Sequence, residues 1–170
     1  MAILQIIKDS DPILRKPSRK VDKITPRISN LIDDMIETLR KAEGAGLAAV
    51  QVGVLRRIVL IEPEPDNLYV LINPEIISES DDIQETVEGC LSIPSKWGIT
   101  QRPKTITVKA LDRNGEEFTL TGSDMLAKAV CHEVDHLDGI LFTDKVIHML
   151  TEEELDEIRN SGDDDDEDEE

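Results

Sequence analysis

The chain has 170 residues, and 39% of them are hydrophobic, which is enough to build the core of a single compact domain. Its formal net charge is −18, and the chain stays acidic even without the run of eight acidic residues at positions 163–170. A protein with this charge balance has no general attraction for phosphate backbones, so we expect no direct nucleic-acid binding.

The first residues lack the basic and long apolar regions of a secretory signal, and no apolar run approaches the length of a membrane span. Cys90 and Cys131 are therefore expected to lie in a reducing compartment, where disulfides are rare and a cysteine is a free thiol or a metal ligand. We expect a cytoplasmic protein with no membrane partner.

The predicted elements begin with an amphipathic helix over 27–42. Its apolar residues recur at three- and four-residue spacing, and Pro26 stands near its first turn, where proline is tolerated. A glycine-rich break follows the helix at 43–46. Short strands are predicted over 47–50, 57–61, 69–73, 104–110 and 117–121. Asn114 and Gly115 mark a hairpin turn between the last two.

Two further helices are predicted in the last third of the chain. The first covers 125–137, with Ser123 and Asp124 as candidate N-caps and Gly139 as the glycine that ends it. The second covers 151–159 and opens with a Thr-x-x-Glu capping box. The first of these helices carries the motif with the clearest chemistry.

The acidic run at the end of the chain differs from everything before it. Its like charges repel each other, and none of its side chains can bury apolar surface. We therefore predict a single domain over 1–160 and a disordered acidic tail over 161–170. We also expect that this tail does not dock on RNA.

Residues 132–136, His-Glu-Val-Asp-His, match the H-E-x-x-H pattern on the predicted helix. Residues four apart on a helix lie within about 40° of each other, so both imidazoles can face one metal ion. Glu133 is turned by about 100° from His132, and it can act as a general base on a water molecule without binding the metal. The pattern can also arise by accident on an exposed charged face.

A catalytic metal needs a third protein ligand, and two cysteines compete for this role. Cys90 stands in Glu-Gly-Cys-Leu-Ser at 88–92, and a thiolate binds borderline metals well. Cys131 is next to His132 in sequence but lies about 100° around the helix, facing away from the two-histidine side. Geometry therefore favours Cys90, although a buried cysteine is by itself more often a small hydrophobic residue.

A third segment, Gly-Ala-Gly-Leu-Ala-Ala-Val-Gln at 44–51, is a loop of small residues that ends in an amide. By itself this segment indicates an ordinary turn with Gln51 exposed. The three segments together, in this order and at this spacing, resemble the three signature motifs of the peptide deformylase family. The resemblance extends from Ile3 to about Val146, and it includes the Leu-Asp-Gly that follows the second histidine.

The resemblance implies a hydrolase that removes the formyl group from N-formylmethionyl nascent peptides and releases formate, in N-terminal processing during protein biosynthesis. The implied metal ligands are Cys90, His132 and His136. The native metal would be Fe(II), which Zn(II), Ni(II) or Co(II) can replace. A metal-bound hydroxide would attack the formyl carbonyl, with Glu133 as general acid and base. The side-chain amide of Gln51 and the backbone N–H of Leu91 would stabilise the oxyanion.

The resemblance and the predicted elements together indicate an α+β fold class. Mostly antiparallel short strands would pack around a central helix carrying H-E-x-x-H, with an N-terminal and a C-terminal helix. The substrate is expected to lie extended along the backbone of Ala45, Gly46 and Gly89. Met125 and Ala129 lie on the metal-facing side of the central helix, and they are either the wall of a methionine pocket or ordinary core residues.

Several residues near the motifs have open roles. Cys131 stands where the family often has glutamine, and Lys128 stands on the pocket side of the helix, where an aliphatic residue is expected. The stem of Lys128 could line the wall while its amine reaches water. Trp97 either covers the outer substrate site or packs in the fold. Glu88 is a candidate partner for Arg102, bracing the cysteine loop.

Three functions fit the metal motif: a deformylase, a metallopeptidase of the broader H-E-x-x-H kind, and a non-enzymatic domain with a closed, stabilising metal site. An open fourth coordination position separates the last from the first two. Only a deformylase uses Gln51 and the Cys90 loop together. Its partners would be N-formylmethionyl peptides and nascent chains at the ribosome.

Overall fold

The structure of the protein, a computed structural model, describes residues 2–167. The α-helices are α1 (Pro26–Ala42), α2 (Met125–Leu137) and α3 (Glu152–Glu167). The strands are β1 (Gly46–Ala48), β2 (Ile58–Ile61), β3 (Tyr69–Glu79), β4 (Ile83–Cys90), β5 (Ile93–Pro103), β6 (Thr105–Leu111), β7 (Glu117–Ser123) and β8 (Val146–Met149). Within the described range, no helix is both long and apolar enough to cross a membrane.

The strands form two antiparallel sheets on either side of α2. One sheet has the order β1-β2-β3-β6-β7, and the other has the order β4-β5-β8. Helix α2 contacts strands of both sheets, so the helix that carries H-E-x-x-H is the centre of the fold. The predicted α+β class, with antiparallel strands around this helix and a helix near each end of the chain, is confirmed.

Strand β2 is buried on both faces because each face packs against a different helix. Val59 and Ile61 belong to the hydrophobic cluster around α2, whereas Ile58 and Leu60 belong to a second cluster that contains the apolar side of α1. This explains the unbroken apolar sequence of β2, since a strand covered on both faces has no solvent side. Its neighbour β1 lies at the edge of the same sheet.

Helix α1 has the ends that its sequence predicts. The Thr25 side chain accepts a hydrogen bond from the Ile28 N–H at 3.3 Å, and Pro26 occupies the first helical position. The helix ends at Ala42 before Glu43, which adopts a left-handed conformation with φ 56°. That turn directs the chain into the glycine-rich loop and β1.

Two strand predictions differ from the structure. Residues 49–50 lie in a 3-10 turn (Ala49–Val52) that continues from β1, so the strand predicted over 47–50 is wrong at its end. The strand predicted over 69–73 instead continues past Pro74 to Glu79. A register shift between Ile72 and Glu75 accommodates the proline, which cannot donate to a regular ladder.

Of the two predictions for the ends of α2, the terminating glycine is confirmed and the N-cap holds only in part. Gly139 follows the helix with φ 75°, and its N–H donates to the His136 carbonyl at 3.1 Å, as expected of a terminating glycine. The N-cap prediction holds only in part: Asp124 stands at the N-cap position, but its side chain makes no capping bond, and Ser123 belongs to β7. The direct passage from strand to helix leaves Asp124 at φ 56°, where its backbone N–H donates to the Lys104 carbonyl instead.

Helix α3 begins with the predicted capping box. The Glu154 N–H donates to the Thr151 hydroxyl, and the Thr151 N–H donates to the Glu154 carboxylate, both at 3.2 Å. The helix runs through Glu167, beyond the predicted end at residue 159, and it takes in residues 161–167 of the segment predicted to be disordered. Residues 168–170 lie outside the described range, so the division between a domain over 1–160 and an acidic tail stays a prediction.

Candidate functional site

The end of β4 and the middle of α2 bring Cys90, His132 and His136 together. One ligand atom from each residue lies within 4.8 Å of the other two. The Cys90 Sγ is 3.3 Å from the His136 Nε2, and this Nε2 is 3.2 Å from the His132 Nε2. One thiolate and two imidazoles are donors that suit zinc or ferrous iron. This group of three side chains therefore fits a metal ion, and three protein ligands leave a tetrahedral position open.

Cys131 lies apart from this group, although it is next to His132 in sequence. Its side chain packs in the hydrophobic cluster around α2, where only 5% of the residue is exposed. Burial raises the pKa of its thiol to about 11, so the thiol is protonated near neutral pH. The structure thus groups the histidines with Cys90, as the helical geometry predicted.

A buried network of charged side chains contacts the Nδ1 side of the His132 ring. The Nδ1 of His132 lies 2.6 Å from the Glu88 Oε1, and the Arg102 guanidinium contacts both oxygens of Glu88, with Nη2–Oε1 2.6 Å and Nε–Oε2 3.1 Å. The Thr100 hydroxyl donates to the Glu88 Oε2 at 2.6 Å. Arg102 also reaches the Asp135 Oδ2 at 2.6 Å. The predicted Glu88–Arg102 pair is confirmed, and it directs the Nε2 of His132 toward the other ligands.

The pKa values of the network follow from burial and hydrogen bonding. Burial acts to raise the pKa of Glu88, but hydrogen bonds from His132 and Arg102 outweigh burial and hold this pKa well below its usual range. Burial acts to lower the pKa of His132, but hydrogen bonds with Cys90 and Glu88 raise it to about 10. Burial lowers the pKa of His136 to about 3. A metal ion would therefore meet a neutral His136 and displace a proton from His132.

Glu133 is buried beside Cys90, His132 and His136. Its Oε1 is 3.6 Å from the His132 Nε2, and its Oε2 has no hydrogen-bond partner among the described residues. Burial raises the pKa of its carboxyl to about 7. Gly46 of β1 packs against this side chain so closely that an added Cβ would lie 2.9 Å from the Glu133 Cγ. A carboxyl with this pKa can both take and give a proton near neutral pH.

Gln51 is buried, with its amide turned toward Cys90. Its Oε1 accepts from the Ala48 N–H at 2.9 Å, and its Nε2 donates to the Ser92 hydroxyl at 3.0 Å. The same Nε2 is 3.6 Å from the Cys90 Sγ. The 3-10 turn after β1 thus holds an amide donor next to the ligand group rather than on the surface.

An open cavity of about 570 Å³ leads from the surface to these residues. It lies between β1 and β4, which are outer strands of their two sheets. The lining includes all the residues predicted to contact the substrate or its oxyanion: Ala45, Gly46, Gln51, Gly89 and Leu91. Met125 and Ala129 line the same cavity from α2. Two exposed strand edges facing one cavity can pair with an extended peptide between them.

The two residues with open roles at the cavity have definite contacts. Lys128 is half-buried, and its Nζ donates to the Val87 carbonyl of β4 at 3.0 Å rather than only reaching water. The Trp97 ring covers Gly89, where an added Cβ would lie 2.4 Å from the ring. Trp97 therefore both packs against β4 and lines the cavity.

Sequence reasoning missed three residues that hold the site together. Ser92 holds the Gln51 amide, and it stands inside the Glu-Gly-Cys-Leu-Ser motif. Asp135 stands inside the H-E-x-x-H motif and binds Arg102. Thr100 lies two residues before Arg102, so both side chains point to the same face of β5. For Ser92 and Asp135, the signal in the sequence was their place inside the motifs.

Comparison with known proteins agrees with this geometry. The family model for polypeptide deformylase matches residues 3–152 of this chain. The peptide deformylase of Finegoldia magna is 50% identical over 161 residues, which cover 94% of this chain and 99% of that relative. The peptide deformylase of Acetivibrio thermocellus is 53% identical over 161 residues, which cover 95% of this chain and 94% of that relative.

Solved structures show the same similarity. The peptide deformylase of Thermotoga maritima superposes with a TM-score of 0.83 at 34% identity, covering 86% of this chain and 99% of that one. The enzyme of Synechococcus elongatus, solved in complex with actinonin, gives a TM-score of 0.81 at 36% identity, covering 91% of this chain and 82% of that one. The resemblance inferred from the three sequence motifs is confirmed. The chain belongs to the peptide deformylase family.

Proposed function

We propose that the peptide deformylase reaction of this protein, hydrolysis of the formyl group of N-formylmethionyl peptides, takes place at the inner end of the cavity. The observation that carries this proposal is the grouping of Cys90, His132 and His136 within 4.8 Å of one another, beside Glu133 and Gln51. A metallopeptidase of the broader kind would need neither the buried Gln51 amide nor the Cys90 loop. The products are formate and a peptide with a free amino terminus.

Cys90, His132 and His136 would hold a divalent metal ion, natively Fe(II), and Zn(II), Ni(II) or Co(II) can occupy the same ligands. Such an ion, when bound, supplies Lewis acidity that lowers the pKa of a water ligand and polarises a carbonyl. The second contact of His132, from its Nδ1 to the Glu88 Oε1 at 2.6 Å, supports this assignment because metal-binding histidines commonly donate their other N–H to a carboxylate.

Glu133 serves as the general base and then as the general acid. It takes a proton from the attacking water as the water oxygen bonds to the formyl carbon. It gives this proton to the amide nitrogen as the C–N bond breaks, so that the peptide leaves as an amine. The 4% exposure of Glu133 and the raised pKa of its carboxyl support both steps.

Gln51 and Leu91 stabilise the negative charge that develops on the formyl oxygen. The Gln51 Nε2 and the Leu91 backbone N–H are the donors, and both residues line the inner end of the cavity. Bonds from Ala48 and to Ser92 fix the Gln51 amide on both sides. This preorganisation supports the role, because donors that need no reorientation stabilise a transition state most.

The peptide would lie extended between β1 and β4, along the backbone of Ala45, Gly46 and Gly89. Hydrogen bonds to backbone do not depend on side-chain identity, so the enzyme can act on many nascent chains. The first side chain of the peptide would enter the part of the cavity lined by Met125 and Ala129 of α2. In the cell, the substrates would be nascent chains emerging from the ribosome in the cytoplasm.

The test is formate release from formyl-Met-Ala-Ser by protein purified anaerobically and loaded with Fe(II), because oxidation of the iron would hide a real activity. We expect formate with no cleavage of the internal peptide bonds, measured by coupled formate oxidation and by mass spectrometry of the peptide. Cleavage within the peptide would support a metallopeptidase instead. Absence of formate from protein with one bound iron per chain would reject the proposal.

A further inference from the structure

Lys128 of α2 lines the cavity beside Met125 and Ala129, the two residues proposed to receive the first side chain of the substrate. The residue lies on α2 between Met125 and Ala129, and all three line the cavity. Opposite them, Val87 of β4 lines the same region. Lys128 therefore adds an amine to a wall that also contains the apolar side chains of Met125, Ala129 and Val87.

The amine of Lys128 is held in place rather than free to swing into solvent. Its Nζ donates to the Val87 carbonyl at 3.0 Å, and the side chain is half-buried. Burial lowers the pKa of Lys128, while the charge of nearby Glu88 acts to raise it. A lysine ammonium has three N–H donors, so the bond to Val87 leaves donors for a ligand in the cavity.

We infer that Lys128 equips the first-residue pocket with a hydrogen-bond donor, so that the enzyme accepts N-formyl peptides that begin with methionine sulfoxide as well as methionine. This inference rests on the proposed function, because it needs the first side chain of the substrate to enter the cavity beside α2. The sulfoxide keeps the chain length of methionine and adds one oxygen, which is a strong acceptor.

Binding of the sulfoxide depends on whether the cavity wall offers its oxygen a hydrogen-bond donor. A purely apolar pocket would strip water from the sulfoxide oxygen and offer no partner, which lowers affinity by roughly ten-fold or more. A bond from the Lys128 ammonium replaces the lost water. The aliphatic stem of the same side chain still contacts the unoxidised thioether of methionine, so the pocket serves both substrates.

The experiment compares formyl-Met-Ala-Ser with its methionine sulfoxide counterpart as substrates of the Fe(II)-loaded enzyme. The measured quantity is the ratio of kcat/KM for the sulfoxide to kcat/KM for the thioether. Lys128→Met should lower this ratio by roughly ten-fold or more, because the donor is lost. Lys128→Ile is a second apolar variant, so the test does not depend on the folding of one protein.

Two control variants test whether Lys128 donates a hydrogen bond to the substrate or only contacts β4 through Val87. Lys128→Arg keeps N–H donors and should keep the ratio within about three-fold of the wild-type value. Lys20→Met removes an exposed lysine of the N-terminal segment and should leave the ratio unchanged. If Lys128→Met and Lys128→Ile change both substrates by the same factor, Lys128 only braces β4 through Val87 and the inference is wrong.

The outcomes also distinguish this inference from the proposed function. Formate release from formyl-Met-Ala-Ser by the wild-type enzyme, with a ratio that does not respond to Lys128, would reject the inference alone. Absence of formate from both peptides would reject the proposed function and the inference with it. A ratio that falls in the two apolar variants and recovers in Lys128→Arg would support both.

Discussion

At the residue scale, the two cysteines of the chain have the same side chain but different surroundings. Cys90 and Cys131 are both cysteines close to His132, yet the Cys90 Sγ is 3.3 Å from the His136 Nε2, whereas Cys131 packs among apolar side chains. The position of Cys131 on α2 therefore places its thiol in the core, and the position of Cys90 at the end of β4 places its thiol next to the two histidines. The two thiols provide a matched pair of variants.

We predict that Cys90→Ser weakens binding of Co(II) and that Cys131→Ser does not. A neutral hydroxyl is a far poorer ligand than a thiolate for this metal, so the affinity should fall by about ten-fold or more, the scale seen when even a supporting contact of a metal site is lost. The affinity is measured by isothermal titration calorimetry with Co(II), and the thiolate-to-cobalt absorption band reports separately whether a cysteine binds the metal. Loss of this band in Cys131→Ser and its retention in Cys90→Ser would mean that the wrong cysteine has been assigned.

The identities of the site residues were more predictable from sequence than the contacts that hold them. H-E-x-x-H has a fixed geometry on a helix, so the placement of the two histidines follows from local structure alone. Ser92, by contrast, acts through a contact between segments far apart in sequence, the bond from Gln51 to Ser92. No local pattern specifies such a contact, because it depends on how the sheets pack.

At the scale of elements, the end of α2 depends on a glycine that touches a distant segment. Gly139 has φ 75°, and an added Cβ would lie 2.4 Å from the Arg15 carbonyl oxygen. Gly115, in the turn between β6 and β7, has φ 82° but would meet only the Ile24 side chain at 3.5 Å. The two glycines share a backbone conformation and differ in their surroundings.

Gly139→Ala should therefore lower the free energy of unfolding by about 2 kcal/mol or more, whereas Gly115→Ala should lower it by only about 1 kcal/mol. The first variant adds a collision with backbone to the cost of a left-handed conformation, and the second adds only that conformational cost. Urea unfolding followed by circular dichroism measures both. Equal losses in the two variants would contradict this prediction, because they would show that the Arg15 backbone moves away from the added Cβ without lowering stability.

A second element-scale contact ties the segment before α1 to the segment after α2. The Arg15 guanidinium pairs with the Asp144 carboxylate, which also accepts from the Leu141 N–H at 3.1 Å. The hydrogen bond from Arg15 lowers the pKa of Asp144 in the folded protein. Both side chains are well exposed, at 50% and 41%, so solvent screens much of their attraction.

Because the folded state lowers the pKa of Asp144, its stabilisation is present above the unfolded pKa and is lost as pH falls through the folded value. Asp144→Asn should therefore reduce the free energy of unfolding at pH 7 by at most about 1 kcal/mol, and the difference should shrink as pH falls below about 4, the ordinary pKa of an aspartate. Urea unfolding at pH 7 and at a series of pH values below about 4 provides the measurement, with Asp81→Asn as an exposed control. A difference that grows at low pH would contradict this account.

The elements that the sequence did not predict correctly are those where a tertiary contact overrides a local preference. Pro74 would normally end a strand, but a register shift lets β3 continue through it and pair with β6. Asp124 has the residue type of an N-cap, yet at the tight join between β7 and α2 its side chain makes no capping bond. Helix α1 was predictable because its apolar periodicity and its end residues agree.

At the scale of the whole molecule, negative charge is concentrated in the last residues of the chain. The protein carries a net charge of −18, and eight of its acidic residues are consecutive at 163–170. Residues of β1, β4 and α2 line the cavity and form the candidate metal site. The acidic end of the chain is therefore expected neither to bind ribosomal RNA nor to take part in hydrolysis.

We predict that deletion of residues 163–170 leaves formate release unchanged and does not weaken association with ribosomes. Like charges repel the tail from phosphate backbones, and salt would screen that repulsion over about 10 Å at 0.1 M. Co-sedimentation with ribosomes across a salt series measures the association. Saturable, salt-sensitive binding that the deletion abolishes would contradict the prediction.

The central claim is that hydrolysis of the formyl group occurs beside Cys90, His132 and His136, with Glu133 moving the proton. The most direct measurement compares kcat/KM for formyl-Met-Ala-Ser between wild-type protein and Glu133→Gln at equal iron content. We predict that Glu133→Gln retains the iron and loses activity by roughly 10²-fold to 10⁴-fold, the usual contribution of a general base. Near-normal turnover by the iron-loaded variant would contradict the account.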